Sequence, residues 1–269
     1  MQRKYNNSKN KKNVDKTDEN INKQKKNQRG YYIYQKYNDW IITDYSLQKN
    51  REISKFYYRR HFLFSKIESG IIMDYESWFS VTPEFLVKKV INIFNQLLNS
   101  KKEVICGYCG VGGDTVVFLK HGFDVYACDI LYSKIKYLKI NSSIYKKEQD
   151  KKYIYGNLSC EVSDFLTLNV DRKYEYGFLS PPWGGMDYKN SALFDLYSID
   201  FDKITTKSQS IIKNCVYFLP KNCNPRQIED IIKDSITVNI MFQERILGLV
   251  VFHGDDFLAN KEAICLAFK

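Results

Sequence analysis

The chain has 269 residues, 44% of them hydrophobic, and it is rich in aromatic side chains, with 17 Phe, 21 Tyr and 3 Trp. A chain of this size and apolar content can bury a sizeable core, which excludes fibrous, collagen-like and wholly disordered proteins. The formal net charge is +10, and residues 1–29 alone carry +7 of it, from ten basic against three acidic side chains.

The basic segment 1–29 has almost nothing to bury, so we expect a disordered tail. A solvated extension is the favoured interpretation, and a loose RNA-binding or nuclear-targeting arm is the alternative. We find neither an apolar run of the roughly 18–20 residues needed to span a bilayer nor a hydrophobic signal segment, and we therefore expect an intracellular protein. The seven cysteines, with one CxxC at Cys106 and Cys109, match neither a disulfide framework nor a zinc site.

Two helices are predicted first: one over 51–66, and one that begins at Pro83 with Thr82 as its cap. From residue 103 onward, strands and helices alternate. The predicted strands are Glu103–Gly107, Val125–Asp129, a segment near Tyr153–Tyr155, Tyr176–Ser180, Cys215–Leu219, Ile236–Phe242 and Leu247–Phe252. The predicted helices among them are Thr115–His121 and Ser133–Lys147. This alternation predicts an α/β fold with a parallel sheet covered on both faces.

A glycine turn, Gly110-Val111-Gly112-Gly113, follows the first of these strands. Glycines let a ligand approach the backbone closely, and Asp129, at the end of the next strand, can accept hydrogen bonds from ribose hydroxyls. Thr115 replaces the third glycine of a dinucleotide fingerprint, and no Gly-Lys-Ser/Thr follows, which excludes a P-loop. The turn therefore indicates a nucleoside-containing cofactor, and a turn that serves only tight packing remains the alternative.

A second motif, Ser180-Pro181-Pro182-Trp183, ends the strand predicted over Tyr176–Ser180. The two prolines have no N–H groups, so the backbone offers only acceptors there. A serine hydroxyl and a proline carbonyl beside an indole form a clamp for a planar amine: the oxygens hold the N–H groups while the ring stacks on the base. A strand-end turn with a buried Trp is the alternative, but a Trp flanked by Pro-Pro and Gly-Gly favours the clamp.

This strand-end motif resembles motif IV of the amino methyltransferases, which use S-adenosylmethionine. With three other blocks, in the same order and spacing between Lys55 and Phe252, it resembles the trimethylguanosine synthase family. The four blocks are Trp78-Phe79-Ser80-Val81-Thr82-Pro83-Glu84, Cys109-Gly110-Val111-Gly112-Gly113, Ser180-Pro181-Pro182-Trp183-Gly184-Gly185 and Val216-Tyr217-Phe218-Leu219-Pro220. The resemblance implies a class I S-adenosylmethionine-dependent methyltransferase: a Rossmann-like α/β fold with a seven-stranded, mostly parallel sheet and a small helical N-terminal extension.

That family converts a 7-methylguanosine RNA cap to the 2,2,7-trimethyl form by two transfers to the exocyclic N2. The resemblance therefore implies S-adenosylmethionine as cofactor, with no metal, and capped RNA as substrate. The catalytic residues would be Ser180, Pro181 and Trp183. The cofactor-binding residues would be Thr82, Pro83, Gly110, Gly112, Gly113, Asp129, Asp164 and Phe165. The substrate-binding residues would be Trp183, Asn141 at the guanine, and Lys55, Ser80, Tyr188 and Lys221 at the cap phosphates.

Four positions depart from the pattern of this family. Cys106 stands where the family has an acid, so one contact to the cofactor is lost or is made by another group. Leu131 replaces a second acid, Lys221 replaces an arginine and cannot form a bidentate fork, and Asp114 stands where an amide is usual. We expect activity to survive these changes, because the clamp and Asp129 are intact.

We expect three parts: a disordered basic tail over 1–29, an N-terminal helical extension over 30–100 that contributes to the cap and cofactor sites, and a Rossmann-like methyltransferase domain over 101–269. The resemblance implies small nuclear and small nucleolar RNAs as substrates, ribonucleoprotein core proteins as further partners, and a monomer without membrane contact. It also implies a location in the nucleus (nucleolus or nuclear bodies), with the cytoplasm as a second site. Alternatives are a methyltransferase for another exocyclic amine and a cap-binding protein that has lost catalysis. An NAD-dependent oxidoreductase is disfavoured, because no hydride-chemistry residues follow the glycine turn.

Overall fold

The computed structural model describes residues 53–98, 102–147, 154–185 and 192–269, together with the backbone of 24–26 and 32–34. Strands β1 (Gln24–Lys26) and β2 (Tyr32–Tyr34) pair antiparallel, so the prediction of disorder over 1–29 is wrong for 24–26. The rest of that tail, and Tyr188, lie outside the described residues. No helix in the described segments has the length and apolar character needed to cross a bilayer.

A seven-stranded sheet forms the centre of the fold, as the sequence predicts. Its strands are β3 (Glu103–Gly107), β4 (Asp124–Asp129), β5 (Leu158–Val162), β6 (Tyr174–Leu179), β7 (Ile212–Pro220), β8 (Ser235–Phe242) and β9 (Arg245–His253). They lie in the order β5-β4-β3-β6-β7-β9-β8, and β9 alone among them runs antiparallel to both of its neighbours. The chain moves outward from β3 to β5 and then returns to the other side of β3. This reversal leaves a crevice beyond the carboxyl ends of β3, β4 and β6.

Helices cover both faces of the sheet. They are α1 (Ser54–Tyr57), α2 (Arg60–Leu63), α3 (Ser77–Ser80), α4 (Glu84–Leu97), α5 (Thr115–Lys120), α6 (Tyr132–Lys147), α7 (Phe201–Ile211), α8 (Pro225–Ile231), α9 (Asp255–Ala259) and α10 (Lys261–Ala267), with 3₁₀ turns over Ile67–Ser69 and Leu196–Ile199. One apolar core packs between the sheet and α4, α5, α6, α9 and α10, and a second packs against α7 and α8. Two covered faces explain why β3, β6 and β7 are buried almost throughout.

The N-terminal segment 53–98 is tied to the sheet layer by α6. Lys134 donates to Asp74 at 2.9 Å and to Ser77 Oγ at 3.0 Å. Asn141 pairs with both backbone groups of Ile72, and Tyr145 Oη donates to Glu84 at 2.8 Å. Spacings of seven and four residues place the three α6 side chains on one helix face, which fixes the segment beside the crevice.

The continuous helix predicted over 51–66 is wrong, because α1 and α2 are separate helices. The Arg60 guanidinium donates to the Tyr57 carbonyl at 3.1 Å and pairs with Glu68 at 2.7 Å, so the Tyr57 carbonyl is bonded to a side chain where the helix would have continued.

Two further expectations differ from the structure. Pro83 is the residue before α4 rather than its first residue, with φ −65° and ψ 136°, and no side chain caps this helix, so Thr82 is not the cap. The strand expected near Tyr153–Tyr155 lies later, over Leu158–Val162. Residues 154–157 instead cross over Phe123: a Cβ atom at Gly156 would stand 1.7 Å from the Phe123 carbonyl oxygen, too close for a side chain.

Candidate active site

A cavity of about 520 Å³ lies beyond the carboxyl ends of β3, β4 and β6. The register aligns Gly107 with Cys128 and with Leu179, so the residues after these three strands meet at one level. The glycine turn, Asp129 and the Ser180–Trp183 segment all line the cavity, and residues 76–82 of the N-terminal segment form another of its walls. A cavity of this size suits a nucleotide-like ligand.

The glycine turn brings the backbone to the cavity and to the N-terminal segment. Gly110 lines the cavity with φ +51°, and a Cβ atom there would meet nothing within 4 Å, so the turn leaves open space for a ligand. A Cβ atom at Gly113 would stand 2.6 Å from the Thr82 carbonyl oxygen, and one at Gly112 would stand 2.5 Å from Leu138. Gly110, Gly113 and Thr82 line the cavity, whereas Gly112 packs the turn against Leu138 of α6 and is not part of the wall.

Asp129 is held at the end of β4 by two backbone amides. Its Oδ2 accepts from Gly110 N and its Oδ1 from Leu131 N, both at 2.9 Å. Burial raises the pKa of this carboxyl, and the two hydrogen bonds oppose the increase. Each oxygen accepts one of these two bonds and keeps acceptor capacity, and Asp129 lines the cavity, so the group can accept two further hydrogen bonds from a vicinal diol.

Ser180, Pro181 and Trp183 lie together on the cavity wall that continues from β6. The indole is half-buried, its Nε1 donates to the Phe218 carbonyl at 3.3 Å, and its ring meets the Phe218 ring at 4.9 Å. Ser180 Oγ makes no hydrogen bond to the described residues, which leaves it available to a ligand. Pro181 is buried and Pro182 exposed. The structure therefore brings together the three parts of the predicted amine clamp.

Asp164 and Phe165 line the cavity on the side of β5. Asp164 Oδ1 accepts from Leu166 N at 3.0 Å, which orders the turn, and the buried Phe165 ring lies 5.4 Å from the ring of Tyr108. Tyr108 itself lines the cavity with a positive φ of 58°, a rare conformation for a non-glycine residue. The sequence gives no signal for this tyrosine beyond its place before the glycine turn.

Acidic side chains outnumber basic ones in the described part of the cavity wall. Among the described residues that line it, Glu76, Asp114, Asp129 and Asp164 are acidic and Lys134 is basic. The ammonium of Lys134 is already engaged by Asp74, Ser77 and Glu76, the last at 3.3 Å. The sequence pattern does not indicate that Lys134, in α6, and Glu76, just before α3, line the cavity, because neither position differs from that of a surface residue. The excess of carboxylates suits a ligand that carries positive charge.

Other predicted site residues lie away from the cavity. Asn141 is fully buried, and its amide pairs with Ile72 N and Ile72 O and donates to Val111 O at 2.9 Å, so the expected guanine contact is wrong in this structure: the side chain is a structural brace. Pro83 lies before α4 and outside the cavity wall.

Of the four residues expected at the cap phosphates, the structure describes three, and one of these lines the cavity. Ser80 is exposed, lines the cavity and donates to the Glu76 carbonyl at 3.0 Å. Lys55 and Lys221 are exposed but do not line the cavity, with Lys55 Nζ 5.0 Å from the Phe56 ring centre. Tyr188 lies outside the described residues. The phosphate contacts of these residues stay predictions.

Comparison with known proteins gives the family. The family model for RNA cap guanine-N2 methyltransferases matches residues 101–253, more than half of the chain. The chain belongs to the RNA cap guanine-N2 methyltransferase family. It is 29% identical over 187 residues to the trimethylguanosine synthase of Schizosaccharomyces pombe, a match that covers 66% of this chain and 74% of that protein.

A second relative and a solved structure extend the comparison. The methyltransferase is 31% identical over 185 residues to the trimethylguanosine synthase of Saccharomyces cerevisiae, which covers 67% of this chain and 58% of that protein. A crystal structure classed as a methyltransferase, from Porphyromonas gingivalis W83, superposes with a TM-score of 0.57 at 9% identity over 75% of this chain and 48% of that one. That likeness concerns the fold alone.

Family membership implies S-adenosylmethionine as the methyl donor, and the residues present fit it. The backbone of Gly110 faces open space, Asp129 keeps acceptors for a ribose, and Asp164 and Phe165 add a carboxylate and an aromatic ring to the same cavity wall. The acidic wall also suits the positive charge of the donor. Cys106, which replaces an acid, is buried within β3 and does not line the cavity, so it takes no direct part in holding the ligand.

Proposed function

We propose that this chain transfers methyl groups from S-adenosylmethionine to the exocyclic N2 of a 7-methylguanosine RNA cap. One observation carries the proposal: the Ser180-Pro181-Pro182-Trp183 segment lines the same cavity as Asp129 and the glycine turn. The acceptor for an amine and the site for the donor are therefore adjacent, which is what direct transfer between two bound molecules requires.

The clamp residues position the amine rather than deprotonate it. Ser180 Oγ and the Pro181 carbonyl would accept the two N–H groups of N2, which directs the nitrogen lone pair at the methyl carbon of the donor. Bound S-adenosylmethionine supplies that carbon as a sulfonium methyl. Guanine N2 need lose its proton only as or after the new bond forms, so no strong base is required. Trp183 would stack on the base and hold it in the plane of these acceptors.

The requirement for a 7-methylated base follows from charge. Methylation at N7 makes the guanine cationic, and a cation over an indole face gains about 1–2 kcal/mol when water is excluded. The carboxylates of the cavity wall add to this preference. An unmethylated guanine would lose both contributions, so the methyltransferase should act on 7-methylguanosine and discriminate against guanosine.

The finer points of the proposal rest on the family resemblance. By that resemblance, two successive transfers give the 2,2,7-trimethyl cap, and the substrates are small nuclear and small nucleolar RNAs. The protein partners would be ribonucleoprotein core proteins. The chain would act as a monomer, in the nucleus and also in the cytoplasm. Division of the chain into a tail, an N-terminal extension over 30–100 and a methyltransferase domain over 101–269 belongs to the same proposal.

Mass spectrometry of cap analogues tests the activity. The full chain is incubated with S-adenosylmethionine and either a 7-methylguanosine or a guanosine cap analogue, and products are read as added methyl groups. We expect one or two additions to the first analogue and at least tenfold less turnover of the second, because about 1.4 kcal/mol corresponds to tenfold. Equal turnover of both would indicate a methyltransferase for another exocyclic amine. Cap binding without affinity for the donor, measured by calorimetry, would indicate a cap-binding protein that has lost catalysis.

A further inference from the structure

Asp114 is a buried carboxylate in the cavity wall, between the glycine turn and α5. It is only 2% exposed. Its Oδ1 accepts from both the backbone amide and the hydroxyl of Thr115, which is its only hydrogen-bond partner among the described residues. Oδ2 accepts no hydrogen bond from those residues, and the side chain lines the cavity. One carboxylate oxygen is therefore left for a ligand.

No basic side chain among the described residues forms an ion pair or hydrogen bond with Asp114. The thiols of Cys106 and Cys109 lie beside it, and burial, with Asp114 adding to the effect, holds the pKa of both thiols well above the usual value. Burial raises the pKa of Asp114 itself to about 7, against the hydrogen bonds from Thr115, and Asp129 adds to the increase. Burying a carboxylate without a cation is unfavourable, so a ligand that brings a cation would relieve the cost.

The order of groups along the cavity indicates which part of the donor meets Asp114. Asp164 and Phe165 follow β5, Asp129 ends β4, and Asp129 is bonded to Gly110 in the glycine turn after β3, so these groups follow the strand order β5-β4-β3. Asp114 follows Gly113, the last glycine of the turn, where the Thr82 carbonyl oxygen is so near that a Cβ atom on Gly113 would stand 2.6 Å from it. A molecule with its adenine near Phe165 and its ribose at Asp129 would direct its amino-acid part along the turn toward Asp114.

We propose that Asp114 accepts a hydrogen bond from the α-ammonium group of the methionine part of S-adenosylmethionine. This inference rests on the proposed function and adds a binding role for a residue outside the recognised blocks. The sulfonium is the other cationic group of the donor, but it has no N–H to donate, and it must lie beside the amine clamp for transfer. The ammonium has a positive charge to balance the carboxylate and an N–H group that can donate a hydrogen bond to Oδ2 of Asp114.

Calorimetry with three ligands tests the assignment. S-adenosylhomocysteine has the ammonium and the carboxylate, its decarboxylated analogue keeps the ammonium alone, and 5′-methylthioadenosine lacks both. None of them carries a sulfonium, so the comparison isolates the ammonium. Asp114→Asn should raise the Kd of the first two ligands about tenfold or more, the loss of one charge-assisted hydrogen bond, and should change that of the third less than twofold.

Two control variants make the test specific. Asp114→Ser keeps an acceptor for the Thr115 amide, and it should change the three Kd values in the same way as Asp114→Asn. Two different replacements are used so that a folding defect in one of them does not decide the result. Asp129→Asn should raise the Kd of all three ligands, because each of them contains the ribose. Equal weakening of all three ligands by Asp114→Asn, or of none, overturns the inference.

Proton release gives a second readout. In the ligand-free protein the pKa of Asp114 is about 7, so about half of the chains carry a protonated carboxyl at pH 7. Binding of an ammonium group would ionise this carboxyl and release about half a proton for each ligand bound. Calorimetry of wild-type chain with S-adenosylhomocysteine in buffers of different ionisation enthalpy measures this, and Asp114→Asn should abolish it. Cys106, Cys109 and Asp129 face the same site and are unchanged in that variant. A wild-type chain that binds none of the ligands would instead overturn the proposed function.

Discussion

The carboxylates of the cavity differ in what surrounds them, and these surroundings separate their roles. Asp129 is fixed by the amides of Gly110 and Leu131, so its oxygens are preset before a diol arrives. Asp164 orders its own turn through Leu166 N. Among the described residues, Asp114 is bonded only to Thr115, through one of its two carboxylate oxygens. Preset acceptors of this kind reduce the entropy lost when a ligand binds.

Replacement of the indole tests the amine clamp. Trp183→Ala should lower kcat/KM for the 7-methylguanosine cap roughly 100-fold or more, from lost stacking and lost alignment. The Kd of S-adenosylhomocysteine should stay within about threefold, since the cofactor-binding groups belong to other segments. Trp183→Phe keeps a flat ring and should lose less. Unchanged turnover of the alanine variant would refute the clamp.

Removal of the charge at β4 tests the ribose site. Asp129→Asn should raise the Kd of S-adenosylhomocysteine by roughly tenfold, because hydrogen bonds to a charged acceptor contribute about 1.5–3 kcal/mol. Titration calorimetry measures the change, and thermal unfolding of the free variant controls for damage to the Gly110 turn. An unaltered Kd would place the ribose elsewhere.

At the scale of elements, α6 connects the N-terminal segment to the cofactor turn. One face of this helix carries Lys134, Asn141 and Tyr145, each bonded to a different part of residues 65–84. Asn141 also reaches Val111 O in the glycine turn. A single rigid helix therefore sets the distance between the wall made by residues 76–82 and the turn that faces it.

Asn141 offers a test that separates bracing from guanine recognition. Asn141→Ala would leave the two backbone groups of Ile72 and the Val111 carbonyl without partners, and should lower the free energy of unfolding by roughly 2–4 kcal/mol. The preference for 7-methylguanosine over guanosine caps should not change, because the amide does not reach the cavity. Urea unfolding measures the stability, and the ratio of kcat/KM values for the two caps measures the preference. Loss of the preference for 7-methylguanosine with unchanged stability would indicate that Asn141 contacts the guanine.

Glu84 joins α4 to α6 and makes stability depend on pH. Burial alone would raise its pKa, but hydrogen bonds from Lys88, Ser65 and Tyr145 lower it from the usual 4.5 to about 2. Its contribution is therefore complete above pH 4.5 and is lost as the pH falls toward 2. Glu84→Gln should destabilise the chain by about 3 kcal/mol at pH 7 and by much less near pH 2.5.

Urea unfolding at both pH values measures the Glu84 effect. Glu175→Gln is the matched control: this glutamate pairs with Lys213 at 2.8 Å on the exposed surface, where ion pairs contribute little. A loss for Glu84→Gln that is the same at both pH values would contradict the pKa argument.

Alternation of apolar strands and helices was enough to predict most of the sheet. Strand β3 is predicted to the residue, and β4 and α6 begin within one residue of the predicted positions. The break between α1 and α2 was not predictable, because it depends on Arg60 bonding to Glu68 and to a carbonyl. Asn141 was misassigned for a similar reason: its partners, Ile72 and Val111, are distant in sequence and only the fold brings them together.

At the scale of the whole molecule, the net charge of the chain and the charge of the cavity wall have opposite signs. The chain carries +10 overall, yet the cavity wall holds four carboxylates and one lysine among the described residues. An acidic cavity in a basic protein favours a cationic base and methyl donor inside, and anionic phosphates outside. This arrangement fits a capped nucleic acid whose first base enters while its chain stays on the surface.

The buried Asp114 should also shape the pH dependence of the ligand-free protein. With a folded pKa near 7 against a usual 3.8, the folded state keeps a proton that the unfolded state has lost, so stability falls as the pH rises from about 4 to 7. Asp114→Asn removes this slope, worth on the order of 2–4 kcal/mol. His121 and His253, whose pKa values burial lowers, act in both proteins and cancel in the difference.

Melting curves of wild type and Asp114→Asn at pH 5 and pH 8 measure that difference. We expect the melting temperature of the variant to rise relative to that of the wild type between pH 5 and pH 8. A saturating concentration of S-adenosylhomocysteine should remove most of this relative increase. Parallel melting temperatures at both pH values would mean that Asp114 is ionised in the free protein.

The acidic wall limits how far into an RNA this protein can read. In the binding mode proposed above, only the terminal base of the RNA enters the cavity, so the cavity reads the modification at the 5′ end and not the sequence that follows. In that binding mode, selection among capped RNAs depends on surfaces outside the cavity.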